Sequence, residues 1–150
     1  MSNKALAEEA SSVLSEVRGF TVEAIEKIGV GGLETIILDL GLVGGARSVV
    51  VVLPPRTQLN LKNSRRALAA GLEALEAGGR EAKFAIIIYS RGGRVTMPAY
   101  LYLGLAGSRL GGEIVIVNGP PGEVREVLRA LKAFGRVYVR EDRVYPAKIL

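Results

Sequence analysis

The sequence contains neither cysteine nor histidine in its 150 residues. The first absence excludes a disulfide framework and thiolate catalysis, and the second removes imidazole as a general base. Together they exclude the ordinary zinc sites and leave carboxylate-bound hard cations as the metals within easy reach. Aromatic residues make up only 5% of the chain. Tyr89, Tyr100, Tyr102, Tyr138 and Tyr145 are too scattered to form the clustered stacking face of an RNA-recognition sheet. No apolar signal segment follows Met1-Ser2-Asn3-Lys4, where an Ala/Glu-rich helical pattern begins instead, so the expectation is a cytoplasmic protein. The longest apolar stretch, 28–55, is interrupted by Glu34, Asp39, Arg47 and several glycines, which makes it a poor membrane span. No loop ends in the glycine-lysine-serine/threonine of a P-loop and none has dinucleotide-binding spacing. A standard NTPase or dehydrogenase is therefore disfavoured, and no cofactor is specified.

What is present is the composition of one globular domain, 49% hydrophobic and 23% charged. A chain of this size buries roughly 70% of the surface it exposes when unfolded, enough for a core without a metal or disulfide staple. Charge is unevenly distributed. Residues 1–46 carry three basic and seven acidic side chains, and residues 47–150 carry seventeen basic and eight acidic ones. The second part, at net +9, favours an anionic partner. Most of its cations are arginines, whose fork suits phosphate and carboxylate.

Leu6, Ala10, Val13, Leu14 and Val17 recur at three- and four-residue steps and predict an amphipathic helix ending near Gly19. A second helix is expected from Thr21 through Leu40, kinked at Gly29, Gly31 and Gly32, with 35–38 as a possible short strand. The grammar changes at Arg47. Val49 to Leu53 is a β-branched run closed by Pro54-Pro55, as in a strand buried on both faces, and a helix capped by Asn63 or Ser64 follows to about Ala77. The unit repeats twice, as strand 84–89 with helix 97–110 and as strand 113–117 with helix 123–134. Residues 136–140, Glu141-Asp142 and Arg143-Val144-Tyr145 read as an edge hairpin.

These patterns predict one α/β domain over 1–150, a three-layer Rossmann-like sandwich. An N-terminal helical layer (1–45) would cover a βαβαβαββ core (46–150) with a mainly parallel four- to five-stranded sheet.

In such sheets ligands lie beyond the strand carboxyl ends. The loops there contain Arg56 in the first unit, Ser90, Arg91, Gly92, Gly93, Arg94 and Thr96 in the second, and Asn118 to Gly122 in the third. The second loop is the strongest candidate. Its glycines admit a close approach of backbone to ligand, its arginines offer forks for an oxyanion, and Ser90 and Thr96 offer hydroxyls. Arg56, Ser90, Arg91, Gly92, Gly93, Arg94, Thr96 and Asn118 form the predicted ligand-binding set.

Ser90-Arg91-Gly92-Gly93-Arg94-Val95 after a strand resembles the Ser-x-Gly-Gly-x-Val passage of Clp-type peptidases and the broader crotonase group, over about residues 47–119. The resemblance implies an oxyanion hole made by Gly92 and Gly93. The chain departs from that pattern in placing Asn118-Gly119-Pro120-Pro121 where those peptidases have a nucleophilic serine, and in having no histidine.

The function read from the sequence is a noncatalytic module that binds a phosphate- or carboxylate-bearing ligand, such as a nucleotide. The alternatives are a nucleic-acid-binding accessory protein, a structural subunit of an assembly and, with less support, a hydrolase with a Gly-Gly oxyanion loop. The partners expected are an anionic small molecule or nucleic acid, with no membrane. A homo-oligomer is expected from the apolar helix around Tyr100-Leu101-Tyr102-Leu103.

Overall fold

The computed structural model describes residues 2–20, 24–30, 33–77, 83–134 and 144–146. In chain order its elements are helix α1 (Ser2–Glu16), strands β1 (Ala24–Val30), β2 (Leu33–Val43) and β3 (Ala46–Val52), helix α2 (Leu61–Ala77), strand β4 (Phe84–Tyr89), helix α3 (Met97–Leu110), strand β5 (Glu113–Val117), helix α4 (Gly122–Phe134) and strand β6 (Val144–Pro146). One six-stranded sheet runs in the order β1-β2-β3-β4-β5-β6. Its middle pairs, β3 with β4 and β4 with β5, are parallel. The pairs β1–β2, β2–β3 and β5–β6 are antiparallel. The sheet is therefore mixed, and not mainly parallel as the sequence predicts.

The difference comes from 24–43. The expected kinked helix is instead the strand pair β1 and β2, with Val30 opposite Leu33, so among the described residues α1 is the only helix before residue 46. Leu38 and Leu40 enter one apolar cluster and Ile37 enters the other. A strand buried on both faces shows no polar alternation, so its apolar run imitates a helical stripe. Three-residue and four-residue steps fit such a run as well as two-residue steps do.

The later units lie where the residues place them. The strands between 46 and 117 are buried on both faces almost throughout, and each face carries its own core. On one face Leu6, Val13 and Val17 from α1 and its C-terminal end pack with Val124, Leu128 and Leu131 of α4 over Val50, Ile87 and Val115. On the other, Ala67, Leu68 and Leu75 of α2 and Leu103 of α3 pack over Val49, Ile86 and Ile114. The cap of α2 differs from expectation: Asn60, not Asn63 or Ser64, accepts the Asn63 amide at 2.8 Å. The expected strand at 136–140 and the Glu141-Asp142 turn lie outside the described residues, and β6 pairs with β5. Among the described residues no helix is long and apolar enough to cross a membrane, and no cluster of acidic side chains could hold a metal ion.

Candidate functional site: a cleft at the carboxyl edge

Strands β3, β4 and β5 end at the same edge, but the helices that follow diverge. Helix α3 joins the core on one face and α4 the core on the other. The connections leaving adjacent β4 and β5 part to opposite sides of the sheet, which is the condition for a crevice at a strand edge. A cleft of about 620 Å³ occupies that place. Gln58, Arg94, Thr96 and Asn118 give it polar walls, and Gly92, Gly93 and Val95 complete it.

Its walls are laced together by backbone. The Arg56 amide donates to the Arg91 carbonyl at 2.7 Å and the Leu59 amide to the Arg94 carbonyl at 2.7 Å, while the Thr96 amide returns to the Leu59 carbonyl at 3.1 Å. The β3–α2 and β4–α3 connections thus run side by side as a short ladder. Ser90, fully buried, shares its hydroxyl proton between the carbonyls of Pro54 at 3.2 Å and Thr57 at 3.1 Å. Asn118 closes the third side. Its Nδ2 donates to the Gly93 carbonyl at 3.1 Å, and its own carbonyl accepts the Gly92 amide at 2.9 Å.

The predicted set is therefore divided. Gly92, Gly93, Arg94, Thr96 and Asn118 converge on the cleft, whereas Arg56, Ser90 and Arg91 do not line it. The Gly92 and Gly93 amides, the donors of the oxyanion reading, point into the loop, to the carbonyls of Asn118 and Ser90. Gly92 has φ of 71°, a left-handed backbone that suits glycine. Gly93 is glycine for lack of space: a Cβ there would stand 2.4 Å from the Thr57 carbonyl oxygen. Thr96 caps α3 by accepting the Ala99 amide, and the Tyr100 amide is held by the Thr96 carbonyl. Pro98 has no amide hydrogen, so the first turn of α3 offers a ligand at most the Met97 amide.

Arg91 turns toward the α1 side. Its Nε faces Tyr89 Oη at 3.4 Å and Glu9 Oε1 at 3.3 Å. Tyr89 in turn donates to the Gly119 carbonyl at 2.9 Å. Burial pushes the Tyr89 hydroxyl up to about 12; the Arg91 hydrogen bond opposes this and the Glu9 charge adds to it. The Tyr89 hydrogen bond holds Arg91 above its ordinary value. Gln58, Glu9 and Tyr89 are absent from the sequence-derived set. Gln58 stands four residues after Pro54 in the connection of the first unit, the longest of the three strand-to-helix connections, a position that could have marked it. Glu9 comes from a distant helix and gives no local signal.

The groups facing the cleft are a guanidinium, two carboxamides and a hydroxyl, with no acidic side chain among them. Such a lining attracts negative charge and both donates and accepts hydrogen bonds. Compared with known proteins, the chain matches no protein-family model, no curated protein and no solved structure.

Proposed function

We propose that this protein is a noncatalytic α/β module that holds a phosphate- or carboxylate-bearing small molecule, of nucleotide size, in the carboxyl-edge cleft. The observation that carries the reading is the cleft's position between connections that part to opposite faces, with Arg94 as the one charged side chain in its lining. Its volume falls in the range of small-molecule sites, about 300–1,000 Å³. In this reading Arg94 binds the anion, Gln58, Thr96 and Asn118 orient the remainder, and Ser90, Gly92 and Gly93 maintain the wall. Arg56 and Arg91 join the two connections through their backbones. The helices on both faces support a three-layer Rossmann-like sandwich, with two antiparallel strands added at its N-terminal side and β6 at the other.

Calorimetric titration of wild type and Arg94→Ala with inorganic phosphate, acetate and adenosine monophosphate tests the reading. The variant is expected to lose at least tenfold in affinity, about 1.4 kcal/mol, with an unchanged melting temperature. Equal affinity of both proteins for every anion overturns the site. Absence of binding by the wild type overturns the function and favours a structural subunit.

A second reading, self-association, has its own observation. Helix α3 turns Ala99, Leu103, Gly104 and Gly107 inward and leaves Met97, Leu101 and Leu105 exposed in one row, at 66%, 44% and 50%. No Asp, Glu, Lys or Arg lies between 97 and 108 in a chain of net charge +5. A second copy can therefore place the same row against it without opposing like charges.

A further inference from the structure

We infer that the anion-binding edge continues past the cleft along the first two turns of α2, as a surface for the phosphodiester backbone of a single-stranded nucleic acid. The inference rests on the cleft reading and extends it from one anionic group to a chain of them.

The first observation is the number and placement of cations. Arg94 lines the cleft, Arg56 and Arg91 stand on its laced walls, and Lys62, Arg65 and Arg66 follow on α2, which starts from the same edge. Of these six, only Arg91 forms an ion pair among the described residues. The acidic groups of this edge lie on the other side: Glu9 is buried beside Arg91, and Glu16 approaches the start of α4 at Gly122. A mononucleotide occupying the cleft has no use for the α2 cations, which lie outside the cleft lining.

The second observation is the direction of charge along α2. Lys62 and Arg65 are exposed near its N-terminus, and Glu73 and Glu76 are exposed near its C-terminus. A helix carries partial positive charge at its N-terminus and partial negative charge at its C-terminus, so this order opposes the macrodipole at both ends. Folding alone favours the reverse order. An arrangement that costs the helix stability while concentrating positive potential at the edge beside the cleft is accounted for by an anionic partner.

The occupant follows from shape. Arg94 lies in a concave opening, where a flexible strand can bend and a duplex, with a persistence length of about 50 nm, cannot. Arg65 lies over the Tyr102 ring, 5.7 Å from its centroid. The contact fixes the Arg65 guanidinium beside the track, and single-stranded bases stack on such guanidinium planes.

The test compares thymidine monophosphate with an oligothymidylate of about 16 nucleotides, and with the same length of duplex, across a salt series. The proteins are wild type, Arg94→Ala, Lys62→Gln, Arg65→Gln and, as a control from the acidic half of α2, Glu73→Gln. The oligonucleotide is expected to bind tighter than the monophosphate and than the duplex. Each lost α2 cation should reduce the log–log salt slope by about 0.7 and leave monophosphate binding unchanged, while Glu73→Gln should not lower the slope. Lys62→Gln should not lower the melting temperature, since it removes an unfavourable charge, whereas a structural role for Lys62 predicts a fall. An oligonucleotide no tighter than the monophosphate, a slope insensitive to Lys62 and Arg65, or equal binding of duplex overturns the inference and leaves the cleft reading standing. Failure of every anion to bind overturns both.

Discussion

At Gly93 the fold and the candidate site depend on one missing carbon. A methyl group there meets the Thr57 carbonyl at 2.4 Å and Ser90 Oγ at 2.7 Å, atoms fixed by the loop lacing. Gly93→Ala is expected to cost about 1–3 kcal/mol, as overpacking does, and denaturant unfolding measures it. Tyr89 links the same edge to pH. Its hydroxyl is harder to ionise in the folded protein, about 12 against the ordinary 10.0. The folded state therefore favours the protonated form: its contribution is complete below pH 10 and is lost as pH rises toward 12. A shift of this size corresponds to about 2–3 kcal/mol. Tyr89→Phe should be less stable at neutral pH, because Gly119 loses its donor, and should lose less stability than wild type between pH 10 and 12. An alkaline unfolding series in which the two proteins decline in parallel contradicts this. Among the site residues, Arg94, Thr96 and Asn118 were legible because strand ends and glycine-rich connections identify a carboxyl edge. The inward amide of Gly92 and the turn of Arg91 toward Glu9 were not, because both depend on contacts between segments far apart in the chain.

At the scale of elements, β2 and β3 are joined by more than their ladder. Arg47, 6% exposed, places both terminal nitrogens on the Asp39 carboxylate at 2.6 and 2.5 Å, where the register shifts between Asp39 and Gly41. The Gly41 amide also donates to Asp39, at 3.1 Å. Asp39→Ala leaves the guanidinium buried without its partner, a loss of about 3–5 kcal/mol in such pairs; chemical denaturation should show it as a lower midpoint with little change in slope. The pair also distinguishes the observed strands from the helix expected over Thr21 to Leu40. Asp39 and Arg47 are eight residues apart, about 12 Å along a helix and too far to pair there, whereas an antiparallel pair brings them together. Gly31-Gly32 between two apolar segments has the composition of a two-residue hairpin connection, a signal outweighed by the apparent helical stripe. The three later βα units carried clear punctuation: β-branched runs, prolines after β3 and glycine pairs after α2 and α3.

At the scale of the molecule, the two proposals rest on different surfaces. The cationic edge carries the proposal of an anionic ligand, and the neutral row on α3 carries that of self-association. Light scattering at micromolar concentration should give more than one chain's mass, and Leu101→Glu with Leu105→Glu should return the monomer with its melting temperature nearly unchanged, since both side chains are exposed. A wild-type monomer contradicts self-association. Charge asymmetry pointed to the cationic edge and the apolar pattern around Tyr100-Leu101-Tyr102-Leu103 to the α3 row, but the faces that α3 and α4 cover, and hence the position of the cleft, appear only when the strands are assembled.

The strand order of the sheet has a consequence for synthesis. Each strand pairs with its predecessor, so no later segment must insert between two already joined. As the chain leaves the ribosome, every new strand meets a finished edge, and the hairpin of β1 and β2 closes across few residues before any crossover is required. This order permits growth from one border of the sheet to the other. The cleft, whose third wall is Asn118, is completed only after β5 has been translated and docked.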